Sequence, residues 1–96
     1  MDHRPDTALT RELLIVNKRG LHARASAKFV QTVEAFDAEI TVSKDGMTVG
    51  GTSIMGLMML AASTGCTVFV TASGAQAEEA LNALDSLVRD RFGEEM

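Results

Sequence analysis

Two alternating segments, Glu39-Ile40-Thr41-Val42-Ser43 and Met47-Thr48-Val49, are joined by Lys44-Asp45-Gly46 in the middle of the chain, and no other stretch restricts the fold as much. Polar and apolar residues alternate with the period of a strand. The Asp-Gly dipeptide supplies the backbone conformations of a tight hairpin turn. Residues 39–49 therefore predict a β-hairpin, two antiparallel strands held side by side.

The flanks supply the remaining elements. Residues 11–16 are short and aliphatic and end at the turn-like Asn17-Lys18-Arg19-Gly20, which predicts a strand with one buried face. Over residues 23–36, Ser26, Phe29, Val30, Val33 and Phe36 recur at helical spacing and predict a helix with a core stripe. After the hairpin, Gly50-Gly51-Thr52 breaks the strand and Ser53 is placed to cap a short apolar helix over residues 54–61, which Ser63-Thr64-Gly65 ends. Residues 67–71 predict another strand. Ser73 and Gln76 fit a capping box for a last helix whose stripe is Ala77, Ala80, Leu81, Leu84, Leu87 and Val88. Glu78 and Glu79 stand early in that helix and Arg89 and Arg91 late, as its dipole favours. The order β-α-β-β-α-β-α predicts an α+β fold, with helices gathered on one face of a four-stranded sheet.

A chain of 96 residues with 46% hydrophobic content suits one compact domain, and no repeat or linker interrupts it. Residues 1–9 are polar, hold the only proline and predict a flexible tail; residues 10–96 form the domain. A formal charge of −4 gives no general attraction to nucleic acid or anionic lipid, so a nucleic-acid role is disfavoured and any basic site must be local. Cys66 is the only cysteine, which excludes an intramolecular disulfide and a four-thiolate metal site and leaves a small buried hydrophobe as its expected role. The N-terminus lacks a basic start followed by an apolar run, and no apolar stretch is long enough to span a bilayer. A cytoplasmic monomer without membrane insertion is expected. His3 has no ligand set around it and is given no role, and neither a metal nor a cofactor is expected. Gly50-Gly51-Thr52-Ser53 lacks the ending and spacing of a P-loop, so ATP binding is not expected either.

The chemistry concentrates at Gly20-Leu21-His22-Ala23-Arg24, where a strand gives way to a helix. His22 supplies a nitrogen nucleophile near physiological pH, and Arg24 a planar fork matched to phosphate oxygens. Unpaired backbone N–H groups at the helix start, those of Ala23 and Arg24 among them, supply an anion cradle. Charge-assisted hydrogen bonds contribute roughly 1.5–3 kcal/mol each, against roughly 0.3–1 kcal/mol for an exposed helix terminus. Arg24 and the N–H groups should therefore matter more than the dipole. An exposed site suits brief holding and release of a phosphoryl group. Hydrolysis would need a base to activate water, and local spacing places neither Asp37 nor Glu39 near His22; a partner distant in sequence stays open. On these two residues alone, His-x-Arg more often marks a solvated loop.

Ser53 reads first as an N-cap, which contributes around 1 kcal/mol. Ile54, Met55, Met58 and Met59 lie on a helix that Gly56 weakens, and Ile54 or Met59, with Leu60, is expected in the core. The remaining side chains are left to face outward, where methionine adapts to varied partner surfaces.

With its neighbours, Gly20-Leu21-His22-Ala23-Arg24-Ala25-Ser26 resembles the active-site signature of the HPr family, the histidine-containing phosphocarriers of the phosphoenolpyruvate-dependent phosphotransferase system. Thr52-Ser53-Ile54-Met55-Gly56-Leu57-Met58 resembles that family's regulatory-serine segment, and the likeness runs over about residues 10–92. The resemblance implies an open-faced β-sandwich, a four-stranded antiparallel sheet with three helices on one face. It implies that His22 accepts a phosphoryl group at Nδ1 from phosphorylated enzyme I and passes it to EIIA-type proteins, in sugar transport or in nitrogen and carbon regulation. Arg24 would steady the phosphate. Ser53 would be the target of an HPr kinase/phosphorylase, and Leu21, Ala27, Ile54, Met55 and Met58 would form the docking patch. Such a protein is a stoichiometric carrier rather than a stand-alone enzyme. The family commonly has proline after the arginine; here Ala25, an excellent helix former, takes that place in a turn where proline's missing N–H costs little. A non-covalent ligand-binding regulatory domain of the same element order, and a small phosphohydrolase using Arg24, are the alternatives.

Overall fold

The computed structural model describes residues 8–95. The expected tail and His3 fall largely outside them. Strands β1 (Leu9–Leu14), β2 (Glu39–Lys44), β3 (Met47–Gly50) and β4 (Thr67–Ser73) form one sheet in the order β1-β4-β2-β3. Every neighbouring pair is antiparallel. Helices α1 (Ala23–Glu34), α2 (Ile54–Met59) and α3 (Ala77–Arg89) cover one face, and Arg91–Gly93 adds a 3₁₀ turn after the last. The helices lie on one face of a four-stranded sheet, as the element order predicts, and the whole is the α+β open-faced sandwich that the resemblance implies.

Strand alternation separates the two faces. Leu13, Ile40, Val42, Val68, Val70 and Ala72 point into one core with the helix stripes. The outer face carries hydroxyls, with Thr10 bonded to Thr71 at 3.1 Å and Ser43 to Thr48 at 2.8 Å. In the hairpin turn Asp45 and Gly46 adopt φ of 50° and 84°, the paired left-handed conformations that Asp-Gly favours. On α1, Ser26, Phe29, Val30 and Val33 are buried. On α3, Ala77, Ala80, Leu81, Leu84 and Val88 are buried and Leu87 is half-buried against them. Arg11, on the edge strand, reaches α3 through a 2.8 Å bond from Nη1 to Asn82 Oδ1.

Several expectations change. β1 begins and ends two residues earlier than residues 11–16, because its pairing with β4 starts at Leu9 opposite Ala72. Ile15 is still buried and still bonded, through its N–H to the Cys66 carbonyl at 2.9 Å. The capping box at Ser73 and Gln76 does not form. Ser73 stays in the sheet opposite Glu39, and Gln76 Oε1 accepts instead from the Asp37 N–H at 2.7 Å, so α3 starts three residues late with Gln76 as its uncapped N-cap. Arg91 lies beyond α3, in the 3₁₀ turn. Helix α2 stops at Met59 rather than residue 61, and Ala61 follows with φ of 53°. Leu57 is buried, and so is Leu60 just after the helix, as expected; of Ile54 and Met59, one of which was expected in the core, neither is buried. Cys66 is half-buried at the core margin rather than inside it, and a bond with Ser63 lowers its thiol pKa.

Ser53 does cap α2: its Oγ accepts from the Gly56 N–H at 2.9 Å. Ser53→Ala should lower unfolding free energy by about 1 kcal/mol in urea titration, and a loss under about 0.3 kcal/mol would show that water satisfies the helix end equally well.

Candidate functional site

The loop between β1 and α1 is pinned from two sides. Gly20 turns the chain with φ of 66°, its N–H bonding the Asn17 carbonyl at 3.2 Å. The Leu21 N–H bonds the Ala62 carbonyl at 2.9 Å, and the Leu21 side chain is buried, which ties the loop to the segment after α2. His22 then stands as the N-cap of α1 in extended backbone, and its carbonyl accepts the helix's first bond, from the Ser26 N–H at 2.8 Å. The N–H groups of Ala23, Arg24 and Ala25 precede that bond and have no partner within the helix. No side chain caps them.

The His22 ring is 18% exposed, within reach of a partner yet not free to turn at random. On one side it lines an open cleft of about 300 Å3 with Arg19, Leu21, Met58 and Ala62 among its walls. Beside it, Arg19, Arg24, Glu94 and Glu95 line a second hollow of about 220 Å3. Two guanidinium groups therefore flank the ring's surroundings, where sequence reasoning had found one.

Two further residues come to the site from positions that local spacing does not reveal. Glu94, 72 positions along the chain from His22, places Oε2 in a short hydrogen bond with His22 Nε2. Asn17 is fully buried, and its Nδ2 donates both to the Gly20 carbonyl at 2.9 Å and to Glu94 Oε1 at 3.1 Å. Burial pushes the Glu94 carboxyl up, but the bonds from His22 and Asn17 and the charges of His22 and Arg19 outweigh it and hold the group below the ordinary carboxylate value.

The chain reaches back to His22 because Phe92 is completely buried. Its carbonyl accepts from Lys28 Nζ at 2.6 Å, and the Glu94 N–H bonds the Arg91 carbonyl at 2.9 Å. Arg91 and Phe92 hold φ of 56° and 55°, a left-handed conformation that costs roughly 1–2 kcal/mol per side-chain-bearing residue. Burying the ring offsets part of that cost, by roughly 1.5–3 kcal/mol. A lone aromatic just past the last amphipathic helix was the one sequence sign that the C-terminal segment is anchored.

The other sequence-derived site residues separate. Arg24 is exposed on the first turn of α1 and Ala27 half-buried one turn on. Ile54, Met55 and Met58 present 41%, 68% and 39% of their surface, and Met58 shares the cleft with His22. Leu21 offers 6% and supports the loop from beneath. Ser53 is exposed at the mouth of α2. Among the described residues no group of His, Cys, Asp and Glu is arranged to hold a metal ion. None of their helices is long and apolar enough to cross a membrane.

Comparison with known proteins agrees with this geometry. The family profile described as "PTS HPr component phosphorylation site" matches residues 9–90. The chain is 49% identical over 86 residues to the phosphocarrier protein HPr of Neisseria meningitidis, covering 90% of this chain and 97% of that one. It is 40% identical over 88 residues to the phosphocarrier protein NPr of Shewanella violacea, covering 92% and 97%. The crystal structure of HPr from Thermoanaerobacter tengcongensis superposes with a TM-score of 0.83 at 47% identity, over 94% of this chain and 99% of that one.

Proposed function

Since this chain belongs to the HPr family, the phosphocarriers of the phosphotransferase system, we propose that His22 takes a phosphoryl group from phosphorylated enzyme I and hands it to an EIIA-type protein. The observation that carries the reading is a partly exposed histidine serving as N-cap of α1, with free N–H groups behind it and Arg24 in the same first turn. The ring nitrogen attacks phosphorus, the donor's bond to phosphorus breaks with its electron pair leaving on the donor, and the transferred oxygens meet the cradle of Ala23 and Arg24. Exposure keeps the adduct available to the next acceptor. Donor and acceptor meet the same face, on which Ile54, Met55 and Met58 offer adaptable apolar contact beside the polar site.

Ser53 is reachable by an HPr kinase/phosphorylase. Phosphorylation there would add about −1.5 to −2 charge at the start of α2, on the face where partners dock. The carrier works in the cytoplasm as a monomer, with residues 10–96 as its single domain, and serves either sugar transport or nitrogen and carbon regulation; its relatives include both an HPr and an NPr.

Incubation with phosphoenolpyruvate and an active enzyme I should add one phosphoryl mass per chain, removed by mild acid and absent from His22→Ala. Adduct formation on His22→Ala would sink the reading. An unmodified wild-type chain would move the assignment to a non-covalent regulatory domain, and steady release of phosphate without a partner would move it to a hydrolase.

A further inference from the structure

We infer that Glu94 is a positioning residue for phosphoryl transfer: it accepts the Nε2–H proton of His22 and so turns the unprotonated Nδ1 toward the incoming phosphorus. The inference rests on the carrier reading and adds a residue to it.

A neutral imidazole carries one proton, and the bond made by one nitrogen decides which nitrogen is left as nucleophile. Glu94, whose carboxyl also accepts from Asn17, is ionised at neutral pH and can only accept, so when the ring is neutral its contact with Nε2 puts the single proton on that nitrogen. Nδ1 keeps its lone pair. Resemblance implied Nδ1 as the acceptor atom; the Glu94 bond reaches the same atom by an independent route.

The carboxylate is itself positioned. Asn17, fully buried, fixes Oε1 while its other hydrogen bond holds the Gly20 carbonyl of the His22 loop. Phe92 anchors the segment that carries Glu94. Both oxygens of the carboxylate are thus engaged, by Asn17 and His22 of the loop at the opposite end of the chain from Glu94.

During transfer the Nδ1 lone pair forms the N–P bond, the donor's bond to phosphorus breaks toward the donor, and the ring gains a positive charge. The Nε2–H proton remains between ring and carboxylate. Glu94 thus faces the charge that develops, which is where a fixed carboxylate lowers a barrier. Repulsion between Glu94 and the incoming phosphoryl oxygens acts against it. The two ring nitrogens point to different edges, and Arg19 and Arg24 line one hollow with Glu94, adding positive charge near both anions, so stabilisation of the ring should win.

The test compares wild type, Glu94→Ala, Glu94→Gln and Asn17→Ala as acceptors from enzyme I and phosphoenolpyruvate, with the imidazole N–H region of the proton spectrum recorded on 15N-labelled protein. Glu94→Ala should lower the saturated transfer rate about tenfold, the ratio set by one charge-assisted bond at a partly exposed site, with KM for enzyme I within about twofold. Glu94→Gln, which keeps an acceptor and loses the charge, should fall about threefold. Wild type should show a protected Nε2–H resonance that Glu94→Ala loses, and Asn17→Ala should reduce both signal and rate. Wild-type transfer with unchanged rates in both Glu94 variants overturns the inference and leaves the carrier reading intact. Faster transfer by Glu94→Ala overturns it too, and makes the carboxylate a barrier. A wild-type chain that accepts nothing removes both.

Discussion

Phe92→Ala is expected to cost about 3–5 kcal/mol of unfolding free energy, the range for truncating a fully buried aromatic ring. In this domain it should lower the thermal midpoint by more than about 12 °C. The ring is 0% exposed in a core of mostly aliphatic residues, so its loss leaves a void. The ring also holds Arg91 and Phe92 in left-handed backbone, so truncation releases a strained turn as well as leaving that void. Once the anchor is gone, that turn relaxes and Glu94 leaves His22. The protected Nε2–H signal should therefore disappear in Phe92→Ala even at temperatures where α1 and the sheet remain folded. Phe92→Leu separates the two consequences: it keeps much of the apolar volume and should keep more of the signal. Unfolding free energy within about 1 kcal/mol of wild type for Phe92→Ala would show that the C-terminal segment is not anchored as described.

What could be read from the sequence follows the range of the forces involved. The hairpin at residues 39–49, the stripe of α1 and the stripe of α3 are periodicities within a dozen residues, and each emerged in the predicted place. Ser53 also behaved as its type predicts, since its cap bond to the Gly56 N–H is local. Ser73 and Gln76 match a capping box equally well, but each found a stronger partner elsewhere, Ser73 in the β2 to β4 ladder and Gln76 at the Asp37 N–H. A short-range rule failed where tertiary hydrogen bonds competed for the same atoms. His22 and Arg24 were legible because strand, turn and helix start follow one another. Glu94 was not, since it meets His22 across 72 positions and through the burial of Phe92. Asn17 read as a turn residue and is one; that its amide is buried and shared with Glu94 depends on the same distant segment.

Gly20→Ala is expected to destabilise by about 3 kcal/mol while disabling the His22 loop, through two separable causes. Gly20 has φ of +66°, which an alanine adopts at a cost of roughly 1–2 kcal/mol. The larger cause is steric: a Cβ there would stand 2.3 Å from the Ala62 carbonyl oxygen and 2.9 Å from Ser63 Cα, both backbone atoms. The same carbonyl accepts the Leu21 N–H, so the clash falls on the bond that ties the loop to the segment after α2. Neither chain moves without opening that bond or lifting Leu21 from the core. Gly46→Ala is the control, with φ of +84° and no atom within 4 Å of the added Cβ. It should show the conformational cost alone, roughly 1–2 kcal/mol, and leave phosphoryl acceptance unchanged. Gly20→Ala should exceed it by a further 1 kcal/mol or more, estimated at roughly the value of a lost backbone hydrogen bond plus strain, and should slow acceptance at His22. Equal losses in the two variants, measured in urea, would mean that the approach of Gly20 to Ala62 adds nothing beyond the turn itself.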